Sequence, residues 1–144
     1  MSPLDKAVLV ERSASIHRHL ARVRARLPAE PTTFEASTDA ADAVILHLWQ
    51  ATQAVIDLAV AACVQLDFGT PQTYAGAFRL LEAKGVIESA LADRLVRAAG
   101  FRNVVAHAYD TLDMARVHRA ATEGPADLLG FIEALQKAAV QRKA

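Results

Sequence analysis

The chain has 144 residues, within the usual span of one domain, so a single helical domain over residues 1–144 is expected. Hydrophobic residues make up 53% of it, which permits a packed core without the metals or disulfides that chains below roughly 40 residues need. Sixteen Lys and Arg balance sixteen Asp and Glu, which excludes a uniformly basic nucleic-acid binder and leaves only local patches.

The charges are unevenly spread. No Lys or Arg falls between Leu27 and Phe78, while Glu30, Glu35, Asp39, Asp42, Asp57 and Asp67 all do. Arg12 to Arg26 holds five arginines, and Arg79 to Arg102 holds five more basic residues. Cys63 is the only cysteine and sits in an apolar run, the setting of a buried thiol rather than a nucleophile. No apolar run approaches the roughly 18 residues of a membrane span. Met1-Ser2-Pro3-Leu4 lacks the layout of a secretion signal. A cytoplasmic protein with no membrane partner is the expectation.

In chain order, the first helix is predicted from Pro3 or Leu4 to about Leu27, because Leu9, Ile16, Leu20, Val23 and Leu27 fall on one stripe. Pro28 and Pro31 stop it, since proline lacks the amide hydrogen and clashes with the preceding turn. Thr38 or Asp39 caps a long second helix ending near Leu66. Two apolar series run along it, one through Val44, Leu48 and Val55 and one through Ile45, Trp49 and Ile56, leaving His47, Gln50, Gln53 and Asp57 as a narrow polar strip. A helix this apolar is either central in a bundle or covered partly by another subunit.

A turn at Asp67–Pro71 precedes a third helix, from about Gln72 to Lys84, with Tyr74, Phe78 and Leu81 inward and Gly85 as its stop. Ser89 is the candidate cap of a fourth helix that carries Leu91, Leu95 and Ala98 and runs on through Arg102 to Tyr109. A short helix over Thr111–Ala121 and a last one opening at Gly124-Pro125 complete the chain. The fold class is therefore all-α, an antiparallel bundle of about five helices.

No cofactor is expected, because there is no Gly-rich phosphate loop, metalloprotease pair, paired-cysteine motif or calcium loop. His17 and His19, two apart, point to different sides of a helix and make a poor metal site. The informative stretch is Phe101-Arg102-Asn103-Val104-Val105-Ala106-His107-Ala108-Tyr109. On an ideal helix Arg102 and Tyr109 nearly eclipse, Asn103 and His107 share a face, and Val104, Val105 and Ala108 can face the core.

Those groups suit RNA cleavage by the RNA's own 2′-hydroxyl. Such a reaction needs an acid or base near neutral pH, which imidazole supplies. It also needs a fixed positive charge on the crowded phosphate, which a guanidinium supplies without any metal. Asn103 can orient the imidazole or donate to a phosphate oxygen. Spacing alone favours reading Arg102 and His107 as a capped or solvent-facing pair.

The longer pattern, Arg-Asn-x-x-x-His-x-Tyr near the end of a bundle helix, resembles the signature of the HEPN superfamily and its HepT-like toxins. Gln53–Ala59, Pro71–Phe78, Leu81, Gly85-Val86-Ile87 and Gly100-Phe101-Arg102-Asn103 fit as well. The resemblance covers roughly Ala40 to Val117, and Ala108 departs from it by its small size. It implies a homodimer whose two Arg102/His107 motifs meet in a cleft and act as a metal-independent endoribonuclease on an RNA substrate. It also implies a partner, a minimal nucleotidyltransferase (MNT) antitoxin that adds AMP to Tyr109. The alternative it leaves open is a non-catalytic HEPN module that serves as the binding or modification partner of a nucleotidyltransferase.

Overall fold

The computed structural model describes residues 5–141; Met1 to Leu4 and the last three residues lie outside it, and with them the expected start at Pro3 or Leu4. Five helices account for the described chain, and no strand occurs among these residues. α1 spans Lys6–Arg26, α2 Asp39–Gln65, α3 Tyr74–Ala83, α4 Ser89–His107 and α5 Met114–Gln141. The caps follow the side chains available. The Asp5 carboxylate accepts from the amides of Ala7 and Val8, and the Thr38 hydroxyl accepts from the amide of Ala41, satisfying donors that the first turn leaves open. Thr73 caps α3, which starts two residues later than the expected Gln72, and Gly85 follows it at φ +76°, a left-handed turn that only glycine adopts without strain.

α2 lies at the centre, with each of the other four helices packed against it. Both of its apolar series are consumed inside the bundle: Val44, Leu48, Val55 and Ala62 are buried, and so are Ile45, Ile56, Ala59 and Cys63. Central placement therefore explains the apolar character that a subunit contact could equally have explained. By length and composition α2 is also long enough to cross a membrane, contrary to the sequence expectation. Half of that segment is buried within the bundle, which is what a core helix requires.

Two apolar clusters stack along α2. The larger joins Leu9 and Ile16 of α1, Leu58 of α2 and Leu66 just beyond it, Phe78 of α3, Leu95 of α4, and Phe131 and Leu135 of α5. Phe78 and Phe131 meet edge to face at 5.6 Å between ring centres, the arrangement their quadrupoles favour. The smaller cluster, Val23, Phe34, Val44, Ile45, Leu48, Val105 and Val117, supports the end of the bundle that carries the polar motif.

Three boundaries depart from expectation. Ser89 is the first helical residue of α4 rather than its cap, a place taken by Glu88 without a side-chain bond. α4 ends at His107, so Tyr109 belongs to a 3-10 turn, Tyr109–Thr111, and not to the helix. The two terminal helices are one. α5 runs unbroken through Pro125, although an interior proline costs about 3 kcal/mol. Gly124 lacks the Cβ that would clash with the proline ring, and buried residues on either side, Val117, Ala121, Leu128 and Phe131, hold the two halves in register.

Candidate functional site

The polar motif sits where the second half of α4 crosses the first half of α2. The two run antiparallel here: Arg102 of α4 reaches Gln53 of α2, and Tyr109, just beyond α4, reaches back to Asp42. Asp42, Trp49 and Gln53 are seven and four residues apart, which places them within roughly 20° of one line along α2. That line is the rail on which the motif side chains rest.

Arg102 is half-buried and held on three sides. Its Nε–H donates to Gln53 Oε1 at 2.7 Å and one terminal N–H donates to Asn103 Oδ1 at 3.0 Å. Its guanidinium carbon lies 5.0 Å from the Trp49 ring centre and 5.7 Å from that of Tyr74, a cation held against two aromatic faces. Gln53 is oriented by its other end, where Nε2 donates to Asp57 Oδ1 at 2.9 Å. A carboxylate only accepts and a guanidinium only donates, so the amide has one orientation that serves both. Two of the five guanidinium N–H groups are thus used for positioning, and three remain for a ligand.

Asn103 is exposed and is paired with Arg102, not with His107. The sequence reading allowed it to orient the imidazole; here its oxygen orients the guanidinium and its amide hydrogens are left outward. His107, the last residue of α4, is exposed and has no polar partner among the described residues. Val105 is buried beneath this face, but Val104, expected to share that role, is 37% exposed.

Tyr109 is 46% exposed and its hydroxyl donates to Asp42 Oδ1 at 2.7 Å. That bond, then burial and the charges of Asp42 and Asp110, push the phenol up to about 12. Because α4 has ended, Tyr109 does not eclipse Arg102 as an ideal helix would have it. Their α2 partners lie eleven residues apart, about 16 Å along the axis, with His107 between them in the chain. Ala108 makes this turn at φ −140°, ψ 39°, and the turn closes through Thr111 N–H to Ala108 O. Asp113 then caps α5 through the amides of Ala115 and Arg116.

Four contributors were not assigned to the site from sequence: Asp42, Trp49, Gln53 and Tyr74. Tyr74 packs against the larger core cluster, as its inward spacing predicts, and its half-buried ring also faces the Arg102 guanidinium. The usable signal was the shared α2 face of Asp42, Trp49 and Gln53. An open groove of about 620 Å³ runs beside the site, lined by Tyr74, Thr73, Gly100 and Asn103. No group of three or more metal-ligating side chains occurs among the described residues. His19 and His47 do meet, Nδ1 to Nδ1 at 3.0 Å across α1 and α2, with one ring donating to the other.

Residues 16–135 match the profile of the family described as Ribonuclease HepT-like, a longer stretch than the Ala40–Val117 resemblance. The chain is 27% identical over 129 residues to the mRNA nuclease HepT of Shewanella oneidensis, covering 90% of this chain and 96% of that one. It is 35% identical over 81 residues to a putative RNase of Archaeoglobus fulgidus, covering 56% of this chain and 61% of the other. Among solved structures, a tri-AMPylated Shewanella oneidensis HEPN toxin in complex with MNT antitoxin superposes with a TM-score of 0.83 at 26% identity, covering 92% of this chain and 99% of that one. The fold alone is shared with the cytosolic protein YutE of Bacillus subtilis, at a TM-score of 0.81 and 14% identity. With the matched profile covering most of its length and the same helical framework around it, the chain belongs to the HepT-like family of the HEPN superfamily.

Proposed function

We propose that this protein is the toxin of a toxin–antitoxin pair, a cytoplasmic, metal-independent endoribonuclease that works as a homodimer of one-domain subunits and is neutralised by AMP addition to Tyr109. The observation that carries the reading is Arg102: a guanidinium anchored by Gln53, Asn103 and two aromatic rings, with three N–H groups unspent. A guanidinium fixed before substrate arrives can stabilise charge developing on a phosphate without reorganising, which is where electrostatic catalysis draws its strength. His107 supplies the proton transfer. The 2′-oxygen attacks phosphorus as its proton passes to the imidazole. The bond to the 5′-oxygen breaks, and that oxygen leaves with a proton, giving a 2′,3′-cyclic phosphate and a 5′-hydroxyl end. One motif per chain offers one imidazole, so a second subunit would provide the complementary acid; exposed Leu46 and Val104 near the site are the apolar surface for such a contact.

The likeness to an AMPylated HEPN toxin in complex with an MNT antitoxin supports the regulatory half of the reading. AMP transfer forms a bond between the Tyr109 phenol oxygen and the α-phosphorus of ATP as pyrophosphate leaves. The added phosphate is an anion of the kind the free Arg102 donors would bind, so modification would compete with substrate.

The test is cleavage of labelled RNA by purified protein in excess EDTA. Wild type should cut to cyclic-phosphate ends. Arg102→Ala and His107→Ala should each lose activity by about a hundredfold or more while keeping helicity and melting point. Cleavage that survives both substitutions, or that EDTA abolishes, overturns the reading. If cleavage is absent but a nucleotidyltransferase still modifies Tyr109, the protein is the non-catalytic module instead.

A further inference from the structure

A second concave surface lies on the other helix pairing of α4. Between α4 and α5 a groove of about 240 Å³ is floored by Leu48 and Thr52 of α2, with Phe101 in its wall. Arg94 and Arg97 of α4 and Arg116 and Arg119 of α5 line it, against the carboxylates of Glu123 and Asp127. Arg94 is spent internally, its Nε 2.7 Å from Asp127 Oδ1. Arg97, Arg116 and Arg119 form no ion pair among the described residues. Arg116 instead lies 5.8 Å from the Phe101 ring centre.

Four guanidinium groups against two carboxylates leave the groove an excess of positive charge. The concentration of charge is matched by its surroundings. Guanidinium forks fit phosphate oxygens, an aromatic wall and apolar floor fit a nucleobase, and the two together are what single-stranded nucleic acid requires. The groove is smaller than the roughly 300–1,000 Å³ of a small-molecule pocket, so it suits one unit of a polymer passing through rather than an enclosed metabolite. Its position names the polymer. Phe101 is followed directly by Arg102, and Arg97 stands five residues before it on the same helix, about 7.5 Å along the axis and roughly 140° around it. A strand seated here reaches the Arg102 site by passing around α4.

We propose that this groove binds the sugar–phosphate backbone of the RNA beside the scissile bond, with Arg97, Arg116 and Arg119 as phosphate ligands and Phe101 as the base-facing wall. The proposal rests on the RNase reading, and its test is kept separate by measuring binding as well as cleavage. The probe is a fluorescent single-stranded 2′-O-methyl oligonucleotide of about 12 nucleotides, which lacks the attacking hydroxyl and falls in the usual single-strand site size. Arg97 and Arg119 are exposed and unpaired, so the double variant Arg97→Ala/Arg119→Ala should melt as wild type does.

Its affinity for the probe should fall about tenfold or more. The slope of log Kd against log salt should shrink by about 1.4, or about 0.7 for each phosphate contact removed. On cleavable RNA of the same length, KM should rise with kcat nearly unchanged. Wild type that binds with this salt dependence but cuts nothing would leave the groove standing and remove the RNase reading. Wild type that cuts, with a double variant that binds equally well, would remove the groove. Loss of affinity for the nucleotidyltransferase with RNA binding untouched would overturn the proposal in favour of a protein interface, and so would failure of wild type to bind the probe.

Discussion

Replacing Asp42 by Asn tests the least obvious contact of the site, the bond that ties Tyr109 to α2. With Asp42 present the phenol is pushed up to about 12, first by its hydrogen bond to that carboxylate. A phenol at about 12 is only about one-tenth ionised at pH 11, whereas one at the ordinary value of about 10 is about nine-tenths ionised. The chain has two tyrosines, so Tyr74→Phe leaves Tyr109 as the only phenol to observe. In that background, phenolate absorbance at about pH 11 should be small with Asp42 and should rise several-fold in Asp42→Asn, with circular dichroism confirming helix at that pH. Full ionisation with Asp42 in place would refute the contact. The same carboxylate is the nearest acceptor for the proton that must leave the phenol when AMP is added. Asp42→Asn should therefore slow modification by about a hundredfold, while Tyr109→Phe abolishes it. Equal modification rates for wild type and Asp42→Asn would show that the proton goes elsewhere.

Gln53→Leu removes the Nε anchor of Arg102 and should lower RNA cleavage about tenfold, the rate equivalent of one charge-assisted hydrogen bond; unchanged kcat/KM would show that the anchor is idle. Arg102→Lys should fail like alanine, since an ammonium cannot donate to Gln53, Asn103 and a phosphate in fixed directions, and recovered cleavage would count against a forked donor. His19 and His47 are both lowered from 6.5, by burial first and then by neighbouring positive charge. The unfolded chain thus binds more protons in that range, so stability is full above about pH 6.5 and falls as pH drops through the lowered values. Urea midpoints should decline from pH 7.5 to 5.5 in wild type and less in His19→Gln/His47→Gln; parallel behaviour would exclude the pair as the cause. Buried His118 holds the Pro28 carbonyl through Nε2 at 2.7 Å and meets Phe34 edge-on, so His118→Ala should cost about 3 kcal/mol by urea denaturation. A change within about 0.5 kcal/mol would show that the loop is held by other contacts.

Periodicity and local chemistry were enough to establish the helical class, the long apolar α2 opening at Thr38 or Asp39 and the stop at Gly85, and to single out the stretch from Arg102 to Tyr109 as the candidate site. Each of these is set by neighbours three or four residues away, or by one backbone preference, and such effects are written locally. The remaining features depend on contacts between distant segments. No glycine or proline marks the end of α4, and Tyr109 leaves the helix in a turn whose phenol is bonded to Asp42, 67 residues earlier. Pro125 signals a break, yet packing on both sides carries α5 through it. The apolar surface of α2 allowed either a central helix or a subunit contact, and only the positions of the other four helices show how much of it the bundle itself covers. The same holds for Arg102. Its presence was legible, but Gln53, Trp49 and Tyr74, which hold it, come from two other helices. The direction of a guanidinium is set by what surrounds it in space, and the chain reveals that only when folded.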